Sequence, residues 1–350
     1  MPQANPQPFR NGNPSAPLTW ALADQRQGTA NQCLGVADAL GSPYEIKEIP
    51  HSSLAYLPNF ILQSSLAGLQ ADHRDNIRPP WPDLVISGGR RTAPIARYIK
   101  RQSERPGGKR CFLAHIMHPG PAAGAGAFDL IAVPRHDRPH ARLGEAANLY
   151  PVTGAPHRVT GDALAAAGGQ WQDAFEKYSR PLVGLLLGGG TRRKTFGKAE
   201  ARELGASAGR LTKAAGGSLI VTTSPRTGDI AGQVAAAAAS AGAAPELVHR
   251  WSPDGENPYL GILALADLLV VTGDSVSMCT EACATGKPVY IYAPPGFSVA
   301  KHSRFQADLF AKGFARPLAD RFDTWEHPPL NPSLEIAGEI RRRMEQRSRD

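Results

Sequence analysis

The apolar residues of this chain fall into short packets separated by Gly, Pro and polar turns. Leu18–Ala23, Tyr44–Ile49, Asp83–Ser87, Cys111–Ile116 and Phe128–Val133 each read as a strand. Between them lie helical stretches. Asn31–Leu40 follows the polar turn Asp24–Gly28, with Thr29 placed to cap it, and Gly41-Ser42-Pro43 ends it. Ala93–Arg101 follows the turn Gly88-Gly89-Arg90-Arg91-Thr92. This strand, glycine turn, helix, strand order predicts an α/β protein with parallel sheets.

The same rhythm returns after Pro156. Asp162–Arg180 reads as a helix, and Leu182–Leu187 as a strand opening into Gly188-Gly189-Gly190-Thr191-Arg192. Lys198–Ala215 is a helix, Ser218–Thr222 a strand, and the Ala-rich Ile230–Ala241 a helix by propensity. Leu247-Val248 is a short strand, and Tyr259–Ala266 a helix. Leu268–Val271 then runs into Thr272-Gly273-Asp274, where Ser275 or Ser277 caps a helix stopped by Gly286-Lys287-Pro288. Val289–Tyr292 is the next strand, and Pro332–Arg347 a basic amphipathic helix. A helix that starts at the carboxyl end of a parallel strand offers free amides to a phosphate.

The stretch His51–Leu69 breaks the rhythm. Leu54, Leu57, Phe60, Ile61 and Leu62 crowd together around Tyr56. Two readings stand: a packed helical insertion, or an exposed apolar patch that touches a membrane surface.

At 350 residues the chain has room for two domains of about 150 residues each. Its net charge of +8 favours anionic partners: phosphorylated ligands, anionic lipid or nucleic acid. Basic clusters stand at Arg90-Arg91, Arg192-Arg193-Lys194 and Arg341-Arg342-Arg343, with no nucleic-acid-binding signature, so nucleic acid is not expected. The Pro/Asn-rich N-terminus lacks an apolar core, so it reads as a disordered leader rather than a secretory signal. No run is long enough for a membrane span. Cys33, Cys111, Cys279 and Cys283 form no C-x-x-C pair and read as buried thiols; no metal is expected.

The ordered motifs carry a resemblance. LADLLVVTGDSVSMCTEACATGKPVYIY and KHSRFQADLFAKGFAR resemble the donor half of nucleotide-sugar glycosyltransferases of the two-Rossmann-domain (GT-B) type, in particular the peptidoglycan N-acetylglucosamine transferase. ISGGRRTAP, LLLGGGTRR, TTSPRTGD and TGDSVSMCTEACATGKPV together look more closely like the elongated-mitochondria fission-protein family of plants and bacteria. The plant members are adaptors that recruit a dynamin-related GTPase. The resemblance implies two Rossmann-like domains facing a cleft, with a C-terminal helix crossing back to the first. It implies a leader over 1–17, an acceptor-side domain over 18–160, a linker helix over 161–180, a nucleotide-sugar domain over 181–325 and a final helix over 326–350.

The resemblance also implies roles. Gly188, Gly189 and Gly190 let backbone approach a diphosphate, with Thr191 beside them and Arg192 as its cation. Ser275 and Ser277 donate to the diphosphate, and Glu281 accepts from ribose hydroxyls. Ser224 and Arg226 follow a strand in the same half, where Arg226 can pair with phosphate. Lys301, His302, Arg304 and Gln306 occupy the loop that meets the donor sugar. Arg90 and Arg91 hold an anionic acceptor. For the base, Asp24 ranks first and His118 second, because the first turn lacks the family's His.

The leading expectation is transfer of a sugar from a nucleotide-diphosphate donor to an envelope or lipid-linked acceptor, without a cofactor. The setting expected is the cytoplasm, at the face of the inner membrane. The rival is a non-catalytic scaffold that binds a protein partner at a membrane surface. A weaker third reading is an epimerase of the same fold.

Overall fold

The computed structural model describes residues 16–120, 124–137, 146–190, 196–320 and 322–349. These residues divide into two compact units. One holds the chain up to 158 together with 331–349; the other holds 159–330.

The first unit is built on six strands: β1 Thr19–Asp24, β2 Glu45–Ile49, β3 Leu84–Gly88, β4 Phe112–Ile116, β5 Leu130–Pro134 and β6 Leu149–Val152. All pair in parallel, in the order β2-β1-β3-β4-β5-β6. Its helices are α1 Gln27–Ala39, the single turn α2 Asn59–Leu62, α3 Gly89–Ser103 and, from the far end of the chain, the last helix Pro332–Arg349. Side chains alternate across the sheet. Trp20, Leu22, Val85, Leu113 and Ile131 pack with Ile95 and Ile99 of α3. Ala21, Ile86, Ala114 and Ala132 face Cys33 and Val36 of α1, together with Ile336 and Ile340 of the last helix. That helix sits close. Ser333 accepts from the His157 amide at 2.9 Å and donates to the His157 carbonyl at 2.8 Å. A Cβ on Gly35 would stand 2.4 Å from the same carbonyl, so only glycine fits there.

The second unit repeats the architecture with α4 Gly161–Phe175, β7 Leu182–Leu187, α5 Lys198–Ala215, β8 Ser218–Thr223, α6 Ala231–Ser240, β9 Pro245–His249 and α7 Tyr259–Leu265. It continues with β10 Leu268–Thr272, α8 Val276–Cys283, β11 Val289–Tyr292, α9 Ala300–Ala311 and β12 Arg316–Pro317; the helix after Asn331 is α10. The parallel order is β12-β11-β10-β7-β8-β9. Read from β9, this is the doubly wound dinucleotide-binding order. Leu204, Ala208 and Leu211 of α5 and Val234 and Ala238 of α6 cover one face. Ile262, Cys279, Cys283, Phe305 and Leu309 cover the other.

Several local expectations change. The first helix starts at Gln27, not Asn31, and its N-cap Arg26 supplies no side-chain cap, so Thr29 lies inside it. The third helix starts at Gly89, so Arg90 and Arg91 are first-turn helix residues rather than loop. Leu149–Val152, for which the apolar pattern marked no strand, is the edge strand of the sheet. Residues 301–306 are helical, not loop. The first strand runs through Asp24, which makes that residue part of the sheet's carboxyl edge.

Ile340 of α10 is fully buried against the first sheet. Ile340→Ala should lower the unfolding free energy of that unit by about 2–5 kcal/mol, read as a shifted urea midpoint.

Candidate functional site

In an open parallel sheet the crevice for a ligand lies at the carboxyl ends of the strands, where the strand order reverses. The second sheet reverses between β7 and β10. Three loops leave there: 188–190 after β7, 224–227 after β8 and 273–275 after β10. A buried carboxylate binds them. Asp274 Oδ2 accepts from the Gly189 amide at 3.0 Å and pairs with the Arg226 guanidinium at 2.9 Å. Thr272 Oγ1 accepts from the Gly188 amide at 2.7 Å. Thr227 donates to the Leu187 carbonyl at 2.9 Å and also holds that of Gly188.

This geometry corrects the role given to the glycines. A Cβ on Gly188 would meet Asp274 Oδ1 at 2.3 Å, and one on Gly189 would meet the Arg226 carbonyl at 2.0 Å. The glycines admit the neighbouring loops, and two of their amides are already spent. Gly190 lends its carbonyl to Arg226, at 3.3 Å. Thr191 and Arg192 lie outside the described residues.

Ser224 folds its own turn: its hydroxyl meets Thr227 Oγ1 at 3.1 Å and accepts from the Arg226 amide at 3.3 Å. Arg226 keeps an exposed flank while it neutralises Asp274. Ser275 is the N-cap of α8 and accepts from the Met278 amide at 3.4 Å. Ser277 sits half-buried in the first turn, where helix amides lack intrahelical acceptors.

Near the other end of α8, Glu281 is half-buried and accepts from the Tyr259 hydroxyl at 2.5 Å. Burial pushes its carboxyl up to about 7, against the lowering pull of that hydrogen bond. The Tyr259 hydroxyl is raised as well, by burial and by the neighbouring carboxylate. The α9 residues divide. Arg304 is exposed and His302 buried. Gln306 turns inward, donating to the Gly273 carbonyl at 2.8 Å and to Ser298 at 2.9 Å. Its amide nitrogen therefore braces the β10 loop instead of meeting a sugar.

The first sheet reverses between β1 and β3, and a second buried carboxylate stands there. Asp24 accepts from the Arg26 amide at 2.8 Å, from Arg91 at 3.0 Å and from His51 Nε2 at 3.0 Å. The His51 and Asp24 side chains are 2% and 4% exposed. Burial acts to raise the Asp24 carboxyl. The hydrogen bonds from His51 and Arg26, with the charges of His51 and Arg91, outweigh it and hold the group below the usual carboxylate range. A carboxylate so stabilised is a poor proton acceptor, which counts against Asp24 as the base. His118 uses Nδ1 to accept from the Gly120 amide at 3.0 Å.

Arg90 and Arg91 also have local work. Arg90 donates to the carbonyls of Leu57 at 2.8 Å and Ala55 at 3.1 Å. Arg91 joins Asp24 and lies 6.0 Å from the centre of the Tyr56 ring. Sequence reasoning missed His51, Asp274 and Tyr259. The placement of His51 just past the second strand, at the ligand-binding end of the sheet, was the available signal.

Two Rossmann-like units with parallel sheets define a GT-B-type protein. UDP-GlcNAc 2-epimerase from Methanocaldococcus jannaschii superposes with a TM-score of 0.55 at 11% identity, covering 94% of this chain and 100% of that one. The Neisseria meningitidis UDP-GlcNAc 2-epimerase bound to UDP-GlcNAc gives 0.50 at 15% identity, covering 93% and 91%. Such likeness establishes the fold. Residues 27–344 match the family described as Mitochondrial fission ELM1, and the chain belongs to that family. The Arabidopsis thaliana mitochondrial fission protein ELM1 is 31% identical over 306 residues, covering 81% of this chain and 69% of the relative. A Rickettsia prowazekii protein, RP120, is 26% identical over 351 residues, covering 91% and 96%.

The raised Glu281 carboxyl sets a pH dependence. Its folded pKa of about 7 exceeds the ordinary 4.5, so its contribution is fully present below pH 4.5 and is lost as pH rises through 7. Glu281→Gln should therefore flatten the fall in melting temperature between these two values that the parent protein shows.

Proposed function

We propose that this chain binds a nucleotide-diphosphate sugar at the carboxyl edge of the second sheet and transfers the sugar to an envelope or lipid-linked acceptor. The observation that carries the reading is the pairing of two groups on one short helix. The α8 N-terminus offers amides of its first turn, and Glu281 on the same helix offers a carboxyl beside Tyr259. A diphosphate suits the first, because helix amides and dipole favour anions. Vicinal ribose hydroxyls suit the second as donors to a carboxylate. Arg226 lies on the neighbouring loop with its guanidinium partly exposed, and cancels the charge of Asp274 that would otherwise repel a phosphate. The fold neighbours named as UDP-GlcNAc enzymes support the same ligand class.

Calorimetry with UDP-GlcNAc and other nucleotide sugars tests this. Binding is expected within the range of about 1 µM–1 mM typical of enzyme substrates. Glu281→Ala should weaken it about 10- to 100-fold, the loss of a hydrogen bond to a charged group. A folded protein that binds none of these ligands would sink the reading.

A specific observation favours a membrane-surface setting. Five of the seven large hydrophobics exposed among the described residues lie between Leu54 and Ile61, with Tyr56 70% and Phe60 60% exposed. So dense a cluster is unlike scattered surface apolar residues. It is also held firmly. Buried Asn59 donates to the carbonyls of Arg90 at 2.9 Å and Pro119 at 3.0 Å. Among the described residues no helix is long and apolar enough to cross a membrane. The same patch would serve the scaffold reading, in which a partner is met at the membrane. Flotation with vesicles containing anionic lipid should carry the protein upward. Phe60→Ser with Ile61→Ser should leave it at the bottom, and equal flotation of both proteins would reject the patch as the contact.

A further inference from the structure

The first sheet has a second edge, where its strands begin, and a cavity of about 490 Å³ lies there. Gly108, Lys109 and Arg110 line it from the turn before β4, and Asp129 from just before β5. Lys100 and Glu104 line it from the end of α3, and Arg347 from the last turn of α10. All these residues belong to one compact unit. The volume falls in the range of small-molecule sites, roughly 300–1,000 Å³. Such sites are mostly apolar. Here every lining residue except Gly108 is charged, with four cations against two carboxylates.

The lining sorts into groups already spent and groups still open. Asp129 is spent: Oδ2 accepts from Lys100 and from the Leu113 amide, both at 2.7 Å, and Oδ1 from Arg347 at 3.1 Å. Lys100 also donates to the Ala127 carbonyl at 3.1 Å, so it serves the turn before β5. Lys109 pairs with Asp83 at 2.7 Å, yet 45% of its side chain is exposed. Arg347 stands 3.7 Å from Glu104 Oε1, beyond hydrogen-bond distance. Arg110 is exposed and has no hydrogen bond or ion pair among the described residues. Lys109, Arg110 and Arg347 therefore bring donors to spare to one cavity from two separate elements. Cations held near one another repel, and an anion between them reverses the sign of that interaction. No lining side chain is aromatic or aliphatic, so nothing there would stack a base or hold an acyl chain.

We infer that this cavity is a binding site for a small organic phosphate without a base, such as a polyol or sugar phosphate. Its phosphate lies among Lys109, Arg110 and Arg347, where guanidinium groups can meet two phosphate oxygens at once. Glu104 accepts from a hydroxyl through Oε2, which has no partner among the described residues. An occupied site joins the last turn of α10 to the turn before β4. The site stands in the unit that does not hold the α8 amides, so it is independent of the donor reading.

The test is amide NMR of nitrogen-labelled full-length protein, titrated with glycerol phosphate and, separately, with inorganic phosphate. Potassium chloride holds the ionic strength constant, because salt alone screens exposed charges. Saturating shifts are expected at the amides of Gly108, Lys109, Arg110 and Arg347, with the lower Kd for glycerol phosphate. Arg110→Gln should raise both Kd values about 10- to 100-fold, the loss of hydrogen bonds to a charged group. Since Arg110 makes no bond within the fold, that variant should fold as the parent does. Glu104→Ala should lower the Kd for inorganic phosphate and abolish the preference for glycerol phosphate. Shifts that rise without saturating, shifts confined to other residues, or parent affinity in Arg110→Gln would overturn the site. Equal Kd values for the two probes in the parent protein would overturn its assignment to an organic phosphate.

Discussion

A parallel sheet must be covered on both faces, and most of this structure follows from that constraint. Helices α1, α3 and α10 enclose the first sheet, and α5 to α9 the second. With both faces closed, the polar groups of each unit collect at the strand ends. Where neighbouring crossovers depart to opposite faces, the carboxyl edge opens. Each unit has one such place, between β1 and β3 and between β7 and β10.

The two openings are filled in the same way. Each holds a buried aspartate that accepts from a backbone amide and pairs with one arginine: Asp24 with Arg26 and Arg91, Asp274 with Gly189 and Arg226. A buried charge is tolerated only when paired and hydrogen-bonded, so each aspartate dictates the conformation of the loops that satisfy it. The difference lies in the third partner. Asp24 adds a histidine, His51, at 3.0 Å. Asp274 has close glycine backbone instead, which ties the loops before α8.

The fold was largely legible in the chain. The strand packets and the glycine turns that follow them marked nearly every strand, because strands buried on both faces are continuous apolar runs. The misses have local causes. Leu149–Val152 contains Pro151 and sits at the sheet's edge, where a missing amide is tolerated, so its pattern does not stand out as a strand. Residues 300–311 carry the polar run Lys301-His302-Ser303-Arg304 at the start of a helix, which mimics a loop. The glycine motif at 188–190 was read as a phosphate cradle, yet two of its amides answer to Thr272 and Asp274, residues about 85 positions away.

Hydrophobic period, glycine placement and charge are local properties, and they determine the α/β class, the number of halves and the turns that follow the strands. Partnership is not local. Whether Asp24 is a base or the anchor of His51, whether Gln306 meets a sugar or braces Gly273, and whether Tyr56 and Phe60 are core or surface depend on groups brought together by packing. A side chain's protonation and its free hydrogen-bonding capacity are set by those neighbours, which periodicity and composition do not encode.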